Sequence, residues 1–397
     1  MSNKNISSSF SFFRDNILFT SAQFYFSLSL LIVGIVTARL LSPEGRGLYA
    51  LFFTLTGLVS NFLHIGFYQS TVYFLNRSKI SEGNLFSNLV SLHLFILFLL
   101  GGISLFLIST GLFPNDAFSD SQYIFLLIVS TMTLLVEQSF SGFILGRHYY
   151  RFYAFFIFFH SSLLLISCFS LYFLTISLDL AIKLRILGSF LFISLFILFG
   201  YLKLKIRPVG FSFIVLKEQI NFGYKSWLQN LIGFFNYRGY FLVVALFLDP
   251  KQMGLFSVSF LFVEAVRFLP NSLSTLILPR LVQKESEGNR SLVAAYANRI
   301  IFFITFFIFI VLVSVLQLLL PFIFGVEYKE AITGTYFLLA GSVFGSIYQV
   351  LTRFFTSENK QIYSIISSIL SLITGITISI FLVNQYGIIG VSFAYLV

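Results

Sequence analysis

One motif occurs twice in this sequence, and the repeat constrains the fold more than any other feature. The first copy, LSPEGRGLYALFF, occupies residues 41–53, and the second, LDPKQMGLFSVSF, occupies residues 248–260, an offset of 207 residues. Five positions are identical, among them the proline and the central glycine. Each copy follows one long apolar run and opens the next. Since a long repeat reveals the architecture, we expect two related halves that each begin with a helix, a Pro-Gly turn and a helix.

The composition places the chain in a lipid environment. Apolar residues make up 57% of it, charged residues only 10%, and the mean hydropathy is +0.93, whereas about a quarter of a soluble domain is charged. The single cysteine, Cys168, excludes an internal disulfide. The histidines are scattered without ligand spacing, so neither a metal site nor a cofactor is predicted. They are His64, His93, His148 and His160.

Eleven apolar runs have about the 20 residues that a membrane-spanning helix needs. They lie at 17–38, 47–67, 85–108, 123–145, 152–174, 181–202, 220–247, 253–279, 292–321, 331–355 and 361–383. An extension of the second run to Leu75 is left open. Residues 387–397 start a twelfth run that is too short to span, so we expect a twelfth helix that is incomplete.

The positive charges predict the orientation. If the N-terminus is cytoplasmic, most loop cations fall on the cytoplasmic side, including those of a basic segment at 203–217. This distribution explains the net charge of +10 without nucleic acid. The repeat offset spans six helices, so both halves insert in the same direction. The prediction is an all-α integral membrane fold with an N-terminal lobe at 1–202, a cytoplasmic linker at 203–217 and a C-terminal lobe at 218–397, each lobe a six-helix bundle.

Two stretches carry a family resemblance. ARLLSPEGRGLYAL, at residues 38–51, is similar to the opening of the polysaccharide flippases in the multidrug/oligosaccharidyl-lipid/polysaccharide exporter superfamily. Residues 236–281 resemble the same family's seventh and eighth helices. The resemblance implies a MATE-like protein of the bacterial inner membrane that is not an enzyme. It would move a polyprenyl-pyrophosphate-linked oligosaccharide across the membrane by alternating access, for O-antigen (lipopolysaccharide) or capsule synthesis. Its partners would be this cargo, membrane lipids and the polysaccharide assembly machinery.

Charged residues near the bilayer centre are the strongest functional candidates. They cost at least a few kcal/mol there and therefore normally face a bundle interior or a watery cavity. Glu137, Arg238, Glu264 and Arg267 lie deepest in their runs. We hypothesise that Arg238 and Arg267 bind pyrophosphate, because a guanidinium offers a planar, permanently charged fork for phosphate oxygens. The structural alternative is an ion pair between Glu264 and Arg267, which lie three residues apart on one helix face.

The remaining candidates are another carboxylate, two cations nearer helix ends, and turn residues. Glu137 is either an ion-coupling carboxylate or a structural partner of another side chain. Arg39 and Lys225 lie nearer helix ends and are further substrate-binding candidates; Arg39 is otherwise a residue that reaches the interface. Several prolines and glycines are predicted to form conformational turns, and one of the prolines is predicted to kink the eighth helix. These residues are Pro43, Gly47, Pro250, Gly254 and Pro270.

Two other functions compete with the flippase. A drug or cation antiporter of the same superfamily would share the fold but tends to need carboxylates in the N-terminal lobe, where Glu137 is the one buried candidate. A membrane polysaccharide polymerase would carry catalytic groups on a large outward loop. The longest outward connections, 108–122 and 320–330, are short and have no paired catalytic groups.

Overall fold

The structure is a computed structural model of the 397-residue chain. It describes the backbone of residues 2–77, 80–110, 121–174, 176–283, 287–358 and 360–397. Side chains are described within these ranges except at 2–16, 107–108, 199, 269, 271–283, 287–290 and 356–357. These residues form helices and no strand. The α-helices are α1 Ser2–Leu40, α2 Pro43–Leu63, α3 Phe67–Arg77, α4 Glu82–Thr110, α5 Ser121–Gly146, α6 Tyr150–Phe169, α7 Leu178–Leu204, α8 Phe213–Phe247, α9 Pro250–Gln283, α10 Glu287–Phe324, α11 Ile332–Ser357 and α12 Gln361–Leu396.

The predicted all-α membrane fold is confirmed. Within the described residues, nine helices are long and apolar enough to cross a membrane, or ten if the bent pair α2 and α3 is one span. The predicted run at 253–279 forms α9, which is not among them and has Glu264 and Arg267 near its middle. The chain is therefore a multi-pass membrane protein.

Two compact units divide the chain. Unit 1 consists of Met1–Leu30 and Phe52–Leu231, and unit 2 consists of Leu31–Leu51 and Ile232–Val397. The boundaries cut through α1, α2 and α8, so each of these helices contributes to both units. These units are defined by contacts between residues, whereas the predicted lobes were defined by the sequence repeat. The lobes at 1–202 and 218–397 therefore stay a prediction.

Both copies of the repeated motif start a helix in the same way. Pro43 begins α2 and Pro250 begins α9, as expected for proline at the first helical position, where no backbone donor is needed. The preceding residue caps each helix: Ser42 Oγ accepts from the Gly45 amide at 3.2 Å, and Asp249 Oδ1 accepts from the Gln252 amide at 2.7 Å. A side-chain oxygen at this position satisfies a free amide of the first turn.

The two motif glycines lie against each other's helices inside unit 2. A Cβ added to Gly47 would overlap the Pro250 carbonyl, and a Cβ added to Gly254 would overlap the Pro43 carbonyl. The first turns of α2 and α9 therefore cross in direct backbone contact. Only glycine permits such an approach, which gives the predicted turn positions a specific packing role.

The second predicted helix begins and ends earlier than expected, and it ends in a break. α2 stops at Leu63, and α3 restarts at Phe67 with a bend of 43°. Ile65 and Gly66 between them adopt positive φ angles of 42° and 72°, which interrupt helical hydrogen bonding. Within unit 1, Gly66 and Gly223 of α8 approach so closely that a Cβ on either would overlap the other's backbone.

Two further boundaries differ from the prediction. α8 begins at Phe213 instead of residue 220, because the segment after Ser212 contains no helix breaker; the remaining connection is held by Asn88, whose Oδ1 accepts from the Ser212 amide at 2.8 Å. At the C-terminal end, the predicted eleventh and twelfth runs form one element, α12, which bends at Gly387 with φ 55° and ψ −137°.

Candidate functional site

The charges predicted deep in helices seven and eight meet in unit 2. Arg238 of α8 forms an ion pair with Glu264 of α9, with 2.6 Å between Nη2 and Oε1. The two side chains retain 31% and 27% of their exposure. Glu264 thus forms its ion pair with an arginine of the neighbouring helix. Spacing along α9 had favoured Arg267 as the partner. A carboxylate between two arginines neutralises only one of their charges.

Aromatic rings surround both arginines. The Arg267 guanidinium carbon lies 4.6 Å from the centroid of the Tyr237 ring, and that of Arg238 lies 4.9 Å from the Phe241 ring. Tyr395 also interacts electrostatically with Arg267. The faces of aromatic rings attract cations, and more strongly where water is scarce. The rings therefore pack against the guanidinium groups of α8 and α9 while leaving both arginines half-buried.

This cluster has the chemistry of an anion site. Among the described side chains, Arg267 has no carboxylate within salt-bridge distance. Its planar fork is suited to phosphate oxygens. The group formed by Arg238, Glu264 and Arg267 carries one net positive charge, so an anion can bind it without breaking the existing pair.

Unit 1 contains a polar cavity of about 560 Å³ between its helices. Its size lies within the roughly 300–1,000 Å³ of small-molecule sites. Five side-chain amides face it, together with hydroxyl groups and aromatic rings. The amides are Gln23, Asn61, Gln69, Gln138 and Asn230; among the other lining residues are Phe19, Phe53, Tyr68, Ser130, Thr133, Ser141, Tyr153 and Ser189.

Glu137 lies in this cavity with a histidine partner. Its Oε1 is 3.6 Å from His160 Nδ1, and the side chains are 24% and 10% exposed. The His160 ring stacks on Phe192 at a centroid distance of 4.2 Å. Arg185 also lines the cavity, with its guanidinium carbon 3.8 Å from the Phe53 ring centroid. The fixed charges of Glu137 and Arg185 balance, in contrast to the net positive cluster of unit 2.

The other predicted residues lie apart from both groups. Arg39 donates from Nε to the Ile323 carbonyl at 2.5 Å and from Nη2 to the Phe322 carbonyl. It thereby caps the C-terminal end of α10, where a cation is favourable. Lys225 is exposed on α8, with its ammonium 5.9 Å from the Tyr224 ring. α9 continues through Pro270 to Gln283, and the kink at Pro270 stays a prediction.

Sequence reasoning missed several cavity residues. His64 and His160 were among the scattered histidines, and Arg185 of α7 was not among the candidate residues. One signal was available: Ser130, Thr133, Glu137 and Ser141 of α5 all line the cavity, and their spacing of three, four and four residues forms one face of a helix. A polar stripe inside an apolar run indicates a hydrated surface.

Comparison with known proteins defines the class. The chain belongs to the polysaccharide biosynthesis protein family, whose sequence profile matches residues 36–333. Among curated proteins, no sequence matches the chain significantly.

Solved structures share the fold at low sequence identity. The lipid II flippase MurJ in an inward closed conformation superimposes with a TM-score of 0.75 and 15% identity, over 96% of this chain and 84% of MurJ. An inward-facing multidrug resistance MATE transporter of the MOP superfamily gives 0.67 and 15%, over 94% and 90%. A MOP superfamily transporter from Pyrococcus furiosus gives 0.58 and 14%, over 96% and 89%. The fold is therefore that of the MOP transporters.

Proposed function

We propose that this protein is a flippase that moves polyprenyl-pyrophosphate-linked oligosaccharide from the cytoplasmic to the outer face of the bacterial inner membrane. Alternating access of a multi-pass helical protein carries the cargo, and no covalent chemistry is involved. The product feeds a surface polysaccharide such as O-antigen or capsule, together with its assembly machinery. The N-terminus lies in the cytoplasm, in line with the positive charges of the loops.

The arginine cluster of unit 2 is the observation that carries this proposal. Arg238 and Arg267 lie deep in two long helices, α8 and α9, of a membrane protein, where an unneeded charge is costly. Glu264 neutralises one of them. A pyrophosphate group supplies the missing negative charge and accepts two-point hydrogen bonds from Arg267. The family's role in polysaccharide biosynthesis supports a cargo with this head group.

The test uses a strain that lacks the gene. We expect lipid-linked oligosaccharide to accumulate and the surface polymer to be lost. The wild-type gene should remove the accumulated intermediate and restore the polymer. Arg267→Ala should fail to restore polymer, while Arg267→Lys should restore it in part, because lysine keeps the charge but loses the fork. A matched control is Arg353→Ala, which removes an exposed cation of α11 and should restore polymer fully. Full polymer with Arg267→Ala at normal protein level would contradict the proposal.

An antiporter is the second candidate, and Glu137 is the observation that favours it. Its carboxylate lies in a polar cavity beside His160, a setting in which a proton or sodium ion can be exchanged. In the same strain, an antiporter predicts normal polymer, no accumulated lipid-linked oligosaccharide and altered sensitivity to toxic cations.

A further inference from the structure

We propose that the unit 1 cavity binds the uncharged sugar portion of the cargo, separately from the phosphate-binding arginines of unit 2. This inference rests on the proposed function, because it assigns a second recognition site for the same lipid-linked oligosaccharide. The cavity residues are the amides, hydroxyls and rings described above.

Three buried atoms of lining side chains have no hydrogen-bond partner among the described residues. They are His64 Nε2, Gln69 Oε1 and His160 Nε2. His64 and His160 are only 7% and 8% exposed. Leaving a buried polar atom unpaired costs roughly 1–3 kcal/mol, and most such atoms in folded proteins are paired. Other residues with such atoms, for example Thr131 and Gln349, do not line the cavity, so the case for a polar occupant rests on the lining groups as a whole.

The lining chemistry selects an uncharged occupant with many hydroxyl groups. Each of the five amides both donates and accepts hydrogen bonds without adding charge, which matches sugar hydroxyls that do the same. The rings of Phe19, Tyr68 and Tyr153 add apolar faces suited to the C–H faces of a sugar ring. A pyrophosphate is disfavoured because Glu137 contributes a negative charge and Arg185 only balances it.

Gln69→Leu is the decisive variant. It removes the unpaired Oε1 at similar volume, so the fold should keep or gain stability. Gln349→Leu of α11 is the matched control, because both amide atoms of Gln349 are also buried and without partner but the residue does not line the cavity. Any general effect of replacing a half-buried glutamine should appear in both variants. An effect on sugar binding should appear only in Gln69→Leu.

Trp227 provides an intrinsic reporter of the cavity. It is the single tryptophan of the chain, and its Nε1 donates to the Asn61 carbonyl at 2.9 Å. Since Asn61 lines the cavity, a bound sugar should shift the emission of Trp227.

The experiment uses the purified full-length protein in detergent. Equilibrium dialysis measures binding of labelled chitotriose and maltotriose, with farnesyl pyrophosphate as a sugar-free probe. We expect saturable binding of at least one trisaccharide with a shift of Trp227 emission. Affinity should fall about tenfold in Gln69→Leu, which corresponds to one lost hydrogen bond, and stay unchanged in Gln349→Leu. Farnesyl pyrophosphate binding should be insensitive to Gln69→Leu and lost in Arg267→Ala.

The outcomes separate this inference from the proposed function. If neither trisaccharide binds saturably, the cavity holds water only and the inference is overturned. It is also overturned if Gln69→Leu and Gln349→Leu bind sugar equally. In either case, polymer export that depends on Arg267 would leave the flippase proposal standing. Loss of farnesyl pyrophosphate binding in Gln69→Leu would assign the cavity to phosphate and likewise overturn it.

Discussion

The two units keep charged side chains between their helices in opposite ways. In unit 1, Glu137 and His160 lie 3.6 Å apart at the wall of a polar cavity of about 560 Å³. In unit 2, Arg238 and Glu264 lie 2.6 Å apart in a close contact flanked by aromatic rings. A charge in lipid must be hydrated or paired, and each unit uses a different one of these solutions.

This difference separates two properties that a transporter needs. A cavity with polar side chains can exchange its contents, because water replaces each ligand contact as the ligand leaves. The close Arg238–Glu264 pair, with aromatic rings around it, keeps a fixed geometry. The Arg267 guanidinium beside it is then available to bind an anion at a fixed position. We therefore expect substitutions in unit 2 to change stability and anion binding together, and substitutions in the unit 1 cavity to change binding alone.

The largest expected effect tests the close packing of unit 2. Gly254→Ala places a methyl group on the Pro43 carbonyl, and backbone cannot move aside as a side chain can. We expect a loss of at least about 3 kcal/mol, the upper end of overpacking costs, seen as a large drop of Tm in detergent. Gly345→Ala is the control, because its added Cβ meets nothing within 4 Å. That change should be neutral or stabilise α11 by up to about 1 kcal/mol. Similar Tm values for both variants would show that the α2–α9 contact is loose.

A smaller effect is expected from Glu264→Gln, which leaves Arg238 without its counter-charge. Breaking a fully buried pair costs about 3–5 kcal/mol. We expect about 2 kcal/mol here, because the two side chains keep 31% and 27% exposure. The double variant Glu264→Gln/Arg238→Gln should recover part of the Tm, since it removes the unpaired charge. If the double variant loses more stability than the two single variants lose together, the broken ion pair does not explain the destabilisation by Glu264→Gln.

Sequence alone predicted much of the fold, and the reasons are physical. Apolar runs of sufficient length form helices in lipid. The predicted runs therefore coincide with helices of the structure, although the helix ends differ from the predicted ends by several residues. The break after Leu63 depends on the approach of Gly66 to Gly223, a contact between residues distant in sequence. The repeat identified Gly47 and Gly254, and the structure adds that they pack against each other's helices.

The candidate site was predictable in part. Depth within an apolar run identified Arg238, Glu264 and Arg267, but it could not say which arginine pairs with Glu264. Spacing along one helix favoured Arg267, whereas the register of α8 against α9 decides for Arg238. The cavity of unit 1 is lined by residues from many helices. Sequence spacing can therefore indicate only the part of the lining that lies on one helix, the polar stripe of α5.

The smallest expected effect on stability comes from Glu137→Gln. Because the Glu137 and His160 side chains are 3.6 Å apart and share a cavity that water can enter, the neutral amide should lower Tm by less than the equivalent of about 1 kcal/mol. A drop as large as that of Glu264→Gln would erase the distinction between the two units. The same variant tests ion coupling in proteoliposomes with an imposed proton or sodium gradient. Transport that no longer responds to the gradient would assign coupling to Glu137, since glutamine cannot exchange the ion, and an unchanged response would leave the carboxylate a structural partner of His160.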